Sequence, residues 1–252
     1  MRRPFNYVAF DLLAAAGRSF ADTPAFDRPG IAISTSTIPR GGVALELGVP
    51  DFQQVSDSGS RSTIYSLDVN LRAGLSDHIE LQVATPLIND LHMRAFGLTD
   101  SAYGTGDLSL SLKAALPSSA EDFSWATLAN ATFATGQSQF TSGKSQYSLA
   151  TAMSLKLNDM YSAGAYIKAS LFAGRVGYTL SPNLNFGLSD ALGAYLEAGY
   201  NHVPGNSDAT IAGGGLAWMA TSRVQLDLSV DFGMTRHSPD VQGGFGVSLY
   251  FD

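Results

Sequence analysis

Cysteine is absent from all 252 residues, which excludes a disulfide framework, a thiol nucleophile and any cysteine metal site. Charge is scarce as well. Asp, Glu, Lys and Arg make up 15% of the chain, against roughly 25% in soluble domains, while the hydrophobic share of 45% is ordinary. A surface so short of lysine and glutamate must be covered by something else. A lipid-facing wall accounts for both figures, because it excludes charge without raising total hydrophobicity when the interior stays polar. No run of Lys and Arg exists to replace phosphate counterions, and the formal charge is −7, so no nucleic-acid partner is expected. Nowhere beyond the N-terminal segment do 18 consecutive apolar residues occur, which leaves no helix to cross a bilayer. A membrane-spanning chain under these limits must span with strands.

What the chain does have is alternation. Tyr65, Leu67, Val69 and Leu71 share one parity, with Ser66, Asp68, Asn70 and Arg72 on the other. The same split recurs with Leu108, Leu110 and Leu112 against Asp107, Ser109, Ser111 and Lys113, and with Val224, Leu226, Leu228, Val230 and Phe232 against Gln225, Asp227, Ser229 and Asp231. Short turns around 74–78, 158–160, 189–191 and 220–222 punctuate these runs, the mark of stacked hairpins. The pattern predicts an all-β fold, an antiparallel up-and-down transmembrane barrel of about 12 strands of about 9–11 residues each. Strands are expected near 41–50, 63–73, 79–88, 105–115, 124–135, 145–157, 161–171, 183–189, 191–202, 209–219, 223–235 and 240–251. Arg175 breaks parity in 169–183 unless a bulge or loop intervenes. Connections at 51–62, 89–104 and 136–144 read as long loops rich in Ser, Gly, Thr and Asp, which places them outside the cell and the short turns in the periplasm.

The N-terminus supplies a further division. Arg2-Arg3, an apolar stretch from Phe5 to Ala16 and the small-x-small site Ser19-Phe20-Ala21 read as a signal peptide over residues 1–21. Its removal takes away Arg2, Arg3, Arg18 and Asp11 and carries the formal charge from −7 to −9. Residues 22–40, rich in Pro and Thr, form either a periplasmic leader, the reading preferred, or a lumen plug; residues 41–252 form the outer-membrane barrel.

Depth then sorts the aromatics. Trp125, Tyr161, Trp218 and Phe251 fall near the periplasmic strand ends, and Tyr65, Phe133, Tyr147 and Phe232 near the outer ends, as two girdles. Glu46, Asp68, Arg72, Glu80, Asp107, Lys113, Lys156, Lys168, Glu197, Asp227 and Asp231 share the inward parity and are expected to line the lumen. They either pair across strands to close a narrow barrel or segregate to line a selective passage, and pairing is preferred because a barrel this size has little spare width.

Catalysis has little to stand on. His92, His202 and His237 lie toward the exterior with Asp90, Asp208 and Asp240 nearby, but their spacing fits no metal-ligand motif, and His78 sits in a periplasmic turn. Neither HExxH, GxSxG, a P-loop nor GxGxxG occurs. No catalytic residue, metal or cofactor is therefore expected.

Asp27-Arg28-Pro29-Gly30, Thr37-Ile38-Pro39 and Gly42-Val43-Ala44-Leu45-Glu46-Leu47-Gly48 are followed in order by the run from Gly106 to Lys113, Ala134-Thr135-Gly136, Gly214-Gly215-Leu216, Gln225-Leu226-Asp227 and Gly244-Phe245-Gly246-Val247-Ser248. In these blocks the chain resembles the outer-membrane family labelled "MetA-pathway of phenol degradation" over roughly residues 26–251. It departs at Tyr250, where such a tail is expected to carry Arg, and at Asp252, which follows the closing aromatic. The resemblance implies a transporter-like barrel associated with aromatic-compound pathways. The function expected is porin-like passage of small solutes, hydrophobic or aromatic ones included, in the bacterial cell outer membrane. Its partners would be outer-membrane lipid, an unidentified small solute and the barrel-assembly machinery. An outer-membrane barrel hydrolase and a soluble ligand-binding barrel stay open as alternatives.

Overall fold

The structure, a computed structural model, describes residues 25–203, 205 and 208–252. The expected signal segment lies outside the described residues. Among the described residues thirteen strands follow one another: β1 (Val43–Asp57), β2 (Ser60–Ser76), β3 (Ile79–Ala95), β4 (Leu98–Gly104), β5 (Leu108–Leu116), β6 (Phe123–Phe133), β7 (Gln146–Lys156), β8 (Tyr161–Phe172), β9 (Arg175–Gly187), β10 (Leu192–His202), β11 (Ala209–Thr221), β12 (Val224–Gly233) and β13 (Val241–Phe251). All pairings are antiparallel, and β1 joins both β2 and β13, which closes the sheet. One half of β3 pairs with β5 and the other half with β4. β4 and β5 are thus two lengths of one wall strand interrupted at residues 105–107. The architecture is a closed 12-stranded barrel with one extra strand.

Period-two alternation decides which face of this wall meets which medium. Leu149 is 58% exposed, and Leu112, Leu228, Leu155 and Phe245 are exposed with it, whereas Arg72, Lys113 and Glu80 on the opposite parity are fully buried. A water-soluble barrel would hide its leucines and show its lysines. The reverse arrangement is stable only where hydrocarbon replaces water against the outer wall.

Most expected strands are present, and the differences cluster at the end of the barrel away from the chain termini. The stretches read as loops at 51–62 and 89–104 are strand instead. β1, β2 and β3 run to 15, 17 and 17 residues, beyond the roughly 9–11 that cross a bilayer. Their tips are two-residue turns at Ser58-Gly59 and Phe96-Gly97, with both residues of each at positive φ, the geometry whose twist matches the flanking strands. Ala173-Gly174 makes a third such turn, so Arg175 begins β9 and the parity break at 169–183 disappears. Beyond the bilayer both faces of a ribbon meet water, nothing enforces alternation of apolar and polar residues, and the segment reads as loop. Only 134–145 and 234–240 remain as longer described connections at this end.

Among the described residues the barrel has no large apolar core. Its interior is partly occupied by residues 25–42, which cross the lumen and return. Phe26 and Ile38 pack with Ala44 and Tyr250, and Ile31, Ala32 and Ile33 lie against Ala150, Ala152 and Tyr166. Tyr250, the departure from the expected tail, thus forms part of the wall on which this segment rests. Where the segment meets β2, Gly41 donates its N–H to the Gly74 carbonyl and Gly74 donates to Gly42. A Cβ on Gly74 would collide with the Pro39 carbonyl, so only glycine admits the chain there.

Candidate functional site

The site is the lumen together with the segment inside it, and two groups of charges pin one to the other. In the first, Arg72 from β2 donates through Nε and Nη2 to the two carboxylate oxygens of Glu80 on β3 at 2.9 and 3.0 Å, and through Nη1 to Glu46 on β1 at 2.6 Å. Lys113 on β5 donates to Asp27 at 2.7 Å and to the Ser34 hydroxyl at 2.8 Å. Gln82 bridges Asp27 and Glu80. The segment answers with backbone donors, Asp27 N–H to Glu46 at 2.9 Å and Ile38 N–H to Glu80 at 2.6 Å. Neighbouring strands place Glu46, Arg72, Glu80 and Lys113 side by side because Glu80 lies opposite Lys113 in the β3–β5 register and two residues from Gln82, the partner of Arg72. Burial pushes the Asp27 carboxyl up, but Arg72 and Lys113 more than offset this and hold it at about 2, below the usual carboxylate value.

The second group is built on Arg28. Its guanidinium grips Asp51 with two bonds, at 2.7 and 2.8 Å, and reaches Asp227 at 3.4 Å. Its carbonyl accepts from Gln225, and Glu197 receives the Ile31 N–H. Asp51 faces inward because the register of β1 shifts between Gly48 and Asp51, around Pro50. Gly48 and Gly244 leave room for it, since a Cβ on either would collide with its carboxylate.

Among the charges expected to line the lumen, Glu46, Arg72, Glu80, Lys113, Glu197, Asp227 and Asp231 are buried, and Asp68 and Lys168 half-buried. Two others make their bonds outside these charge groups, Asp107 while also lining one of the lumen cavities. Lys156 sits at the terminus-bearing end and pairs with Asp159 in its own turn at 2.7 Å. Asp107 holds the 134–145 loop, accepting from the Gly136 N–H and from the Ser142 N–H and hydroxyl, each at 2.9 Å. Both are polar-face residues near strand ends, where parity alone does not separate the lumen from its rims. Of the two uses considered for these charges, pairing describes Arg72, Glu46, Glu80, Lys113 and Asp227, though Asp27 of the segment is a partner of Arg72 and Lys113 and Arg28 of the segment is the partner of Asp227. Alternation along the strands does not mark those two or Asp51 as site residues. The one signal for Asp51 is the proline beside it, since proline inside a strand marks a bulge.

Partial burial pushes Asp107 up from an ordinary 3.8, and the donors from Ser142, Thr141 and Gly136 outweigh it, holding it at about 2. A depressed carboxyl stabilises the loop above its ordinary value, and that contribution is lost as pH falls from about 4 through about 2. Asp107→Ala is expected to loosen the loop at neutral pH, read as faster protease cleavage within 134–145. Wild type should match the variant only near pH 2, monitored by amide exchange; identical cleavage of both chains at pH 7 would contradict this role.

The exterior histidines do not converge on a metal: no group of three His, Asp or Glu suited to one occurs among the described residues. His92 contacts Asp90 at 3.1 Å. His202 contacts Asp208 at 2.6 Å and stacks on Tyr178, and the Tyr200 hydroxyl and His202 hold the Asp208 carboxyl below its usual value. These contacts lie on the outer rim, away from the lumen. The aromatic residues assigned to girdles share the outward parity, and Tyr65, Tyr147, Tyr161, Trp218, Phe232 and Phe251 are exposed. Trp125 and Phe133 are half-buried, Trp125 donating to the Pro117 carbonyl at 3.1 Å.

Three cavities flank the segment. One of about 770 Å³ opens toward the terminus-bearing end, lined by Ile33, Ala152, Ala217 and Met219 together with Asp27, Arg28, Asn183, Asn185 and Glu197. Two smaller ones, of about 360 and 310 Å³, lie toward the opposite end. Arg28 lines all three.

A closed antiparallel barrel with leucines outside, charges inside and chain threaded through the lumen has the fold of an outer-membrane channel. The chain belongs to the family described as "Putative MetA-pathway of phenol degradation", whose pattern matches residues 26–251. Among solved structures it is similar to the COG4313 outer membrane channel from Pseudomonas putida F1, with a TM-score of 0.69 and 13% identity over 89% of this chain and 99% of that one. It is also similar to the KdgM porin, solved in complex with disordered oligogalacturonate, with a TM-score of 0.53 and 10% identity over 83% of this chain and 98% of that one. At these identities the likeness concerns the fold. No curated protein matches the chain in sequence.

Proposed function

We propose that the protein lies in the bacterial cell outer membrane and lets small hydrophobic or aromatic solutes pass, with residues 25–42 as the barrier they must get around. The observation that carries this reading is the division of one lumen into cavities that meet at Arg28. Cavities of a few hundred Å³ suit small molecules, and Ile33, Ala152, Ala217 and Met219 give the largest an apolar patch among its polar groups. The outward leucines support lipid as the surrounding medium. The terminus-bearing end faces the periplasm and the long hairpins the exterior. Barrel-assembly machinery would insert it, and no step of the passage calls for catalysis.

Flux across a lipopolysaccharide-containing bilayer tests this directly. Proteoliposomes carrying the full mature chain are expected to equilibrate labelled phenol or toluene faster than vesicles without it. Equal rates for every aromatic probe would remove the transport reading.

A further inference from the structure

The hairpin ribbons carry a recess of about 430 Å³ on the side of the wall away from the lumen. Parity fixes that side. Tyr65 faces out, and Thr63 and Arg61 follow it at steps of two toward the tip of β2. The register then sets His92 beside Thr63 and Arg94 beside Arg61 on β3, with Ser101 and Thr99 beside those two on β4. Tyr65 and His92 meet edge to face, ring centroids 6.3 Å apart, as residues of one face must. Arg61, Thr63, His92, Arg94, Thr99 and Ser101 all line the recess, together with Met93 and Asp100. Arg61 and Arg94 stand directly opposite each other across the β2–β3 ladder. Like charges so placed repel, and neither guanidinium forms an ion pair or hydrogen bond with a described residue. The nearby acids are engaged with other groups: Asp90 contacts His92 at 3.1 Å, and Asp100, on the opposite parity, accepts the Ser101 N–H at 2.8 Å. An anion held between the two arginines would remove their repulsion.

We propose that this face binds the phosphate groups of an outer-leaflet glycolipid. Its place selects the ligand, because the recess continues the lipid-facing wall upward. Tyr65 and Tyr103 flank Asp90 in the register, at the level of the outer aromatic girdle. Arg61 follows Tyr65 four residues on, about 13 Å farther at roughly 3.3 Å per residue, where headgroups replace hydrocarbon. Two planar guanidinium forks can share one phosphate, with the hydroxyls of Thr63, Thr99 and Ser101 as neutral donors around it. The acyl chains of the same molecule would run down the outward row through Tyr65, Val69 and Leu71. The inference rests on the outer-membrane reading with the hairpins outside the cell, and it needs no passage through the lumen.

Four probes separate the sources of phosphate: lipopolysaccharide, the same lipopolysaccharide stripped of its phosphates, phosphatidylglycerol and inorganic phosphate. Each is titrated against the full mature chain in detergent, with bound molecules counted by native mass spectrometry. Saturable binding of intact lipopolysaccharide is expected, about tenfold or more tighter than that of the other three. Arg61→Gln or Arg94→Gln should each weaken it about tenfold, the size expected when one charge-assisted contact is lost, and Arg61→Lys by less. Lys144→Gln with Arg236→Gln removes the same charge from exposed connections at the hairpin end and should leave the affinity unchanged. Heat-dependent gel mobility verifies that each variant is folded. Equal binding of stripped lipopolysaccharide or phosphatidylglycerol overturns the assignment, and equal binding of inorganic phosphate reduces the face to an adventitious anion site and overturns it too. Unchanged affinity in the folded double arginine variant, or an equal loss in the Lys144 and Arg236 variant, does the same. Whole cells carrying Ser58→Cys, treated with a maleimide that cannot cross the outer membrane, test the orientation separately. Labelling without lipopolysaccharide binding removes the site alone, whereas absence of labelling removes the reading on which it rests.

Discussion

Replacing Arg72 with alanine is expected to destabilise the barrel by about 3–5 kcal/mol, the usual penalty for removing one partner of a buried ion pair. Arg72 is 0% exposed and satisfies both oxygens of Glu80, one of Glu46 and the Ala25 carbonyl. Without it, Asp27, Glu46 and Glu80 share Lys113 as their remaining nearby cation. Water cannot easily make up the loss, because the residues around the gap are themselves buried. Arg72→Lys keeps the charge but not the fork that binds Glu80 with two donors, so it should fall between wild type and alanine. Guanidinium unfolding in detergent measures the order. Equal midpoints for wild type and Arg72→Ala would mean that the cluster adds nothing to folding.

Deletion of residues 22–40 should produce the largest change in conductance. The segment supplies Asp27 to one charge group and Arg28 to the other, so its loss acts on the two differently. Arg72 and Lys113 would be left facing Glu46 and Glu80, two cations and two anions that still balance, and the wall should close as before. Asp51, Asp68, Asp227 and Asp231 would be left without Arg28, giving an open lumen with an acidic belt. Planar-bilayer recordings are expected to show larger current steps than the full chain, with a reversal potential shifted toward that of the cation in a salt gradient. Steps of the same size in both chains would mean that the segment does not restrict the lumen. In the full chain the Asp27 carboxyl, held at about 2, keeps its bond to Lys113 intact down to roughly pH 4. As pH falls further, protonation should raise conductance toward the truncated level.

The wall is legible in the sequence because its physics is local. A strand between lipid and a polar lumen must alternate, and Leu108 to Lys113 or Val224 to Phe232 display that rule within a few residues. The hairpin ribbons are not legible, since above the lipid no medium enforces alternation and Ser58-Gly59 looks like any serine-rich loop. The lumen contacts are harder still. Asp27 and Arg28 stand out only as part of a family block, as nothing nearby in sequence tells that Asp27 meets Lys113 or that Arg28 meets Asp227, some two hundred positions away. Asp51 is hidden by a bulge, which moves it to the inner face against the count expected from Glu46 and Gly48.

The three two-residue turns also bear on how the mouth of this barrel can change over generations. A ribbon whose tip is Ser58-Gly59 or Ala173-Gly174 has no slack: one inserted residue there would have to be absorbed by the hydrogen-bonded ladder, turning every side chain beyond it to the other face. Diversity on such a collar accumulates by exchange of side chains at fixed positions, while growth in length is confined to connections such as 134–145 and 234–240. Grafted epitopes or affinity tags belong in those two places, and the hairpin tips should reject them.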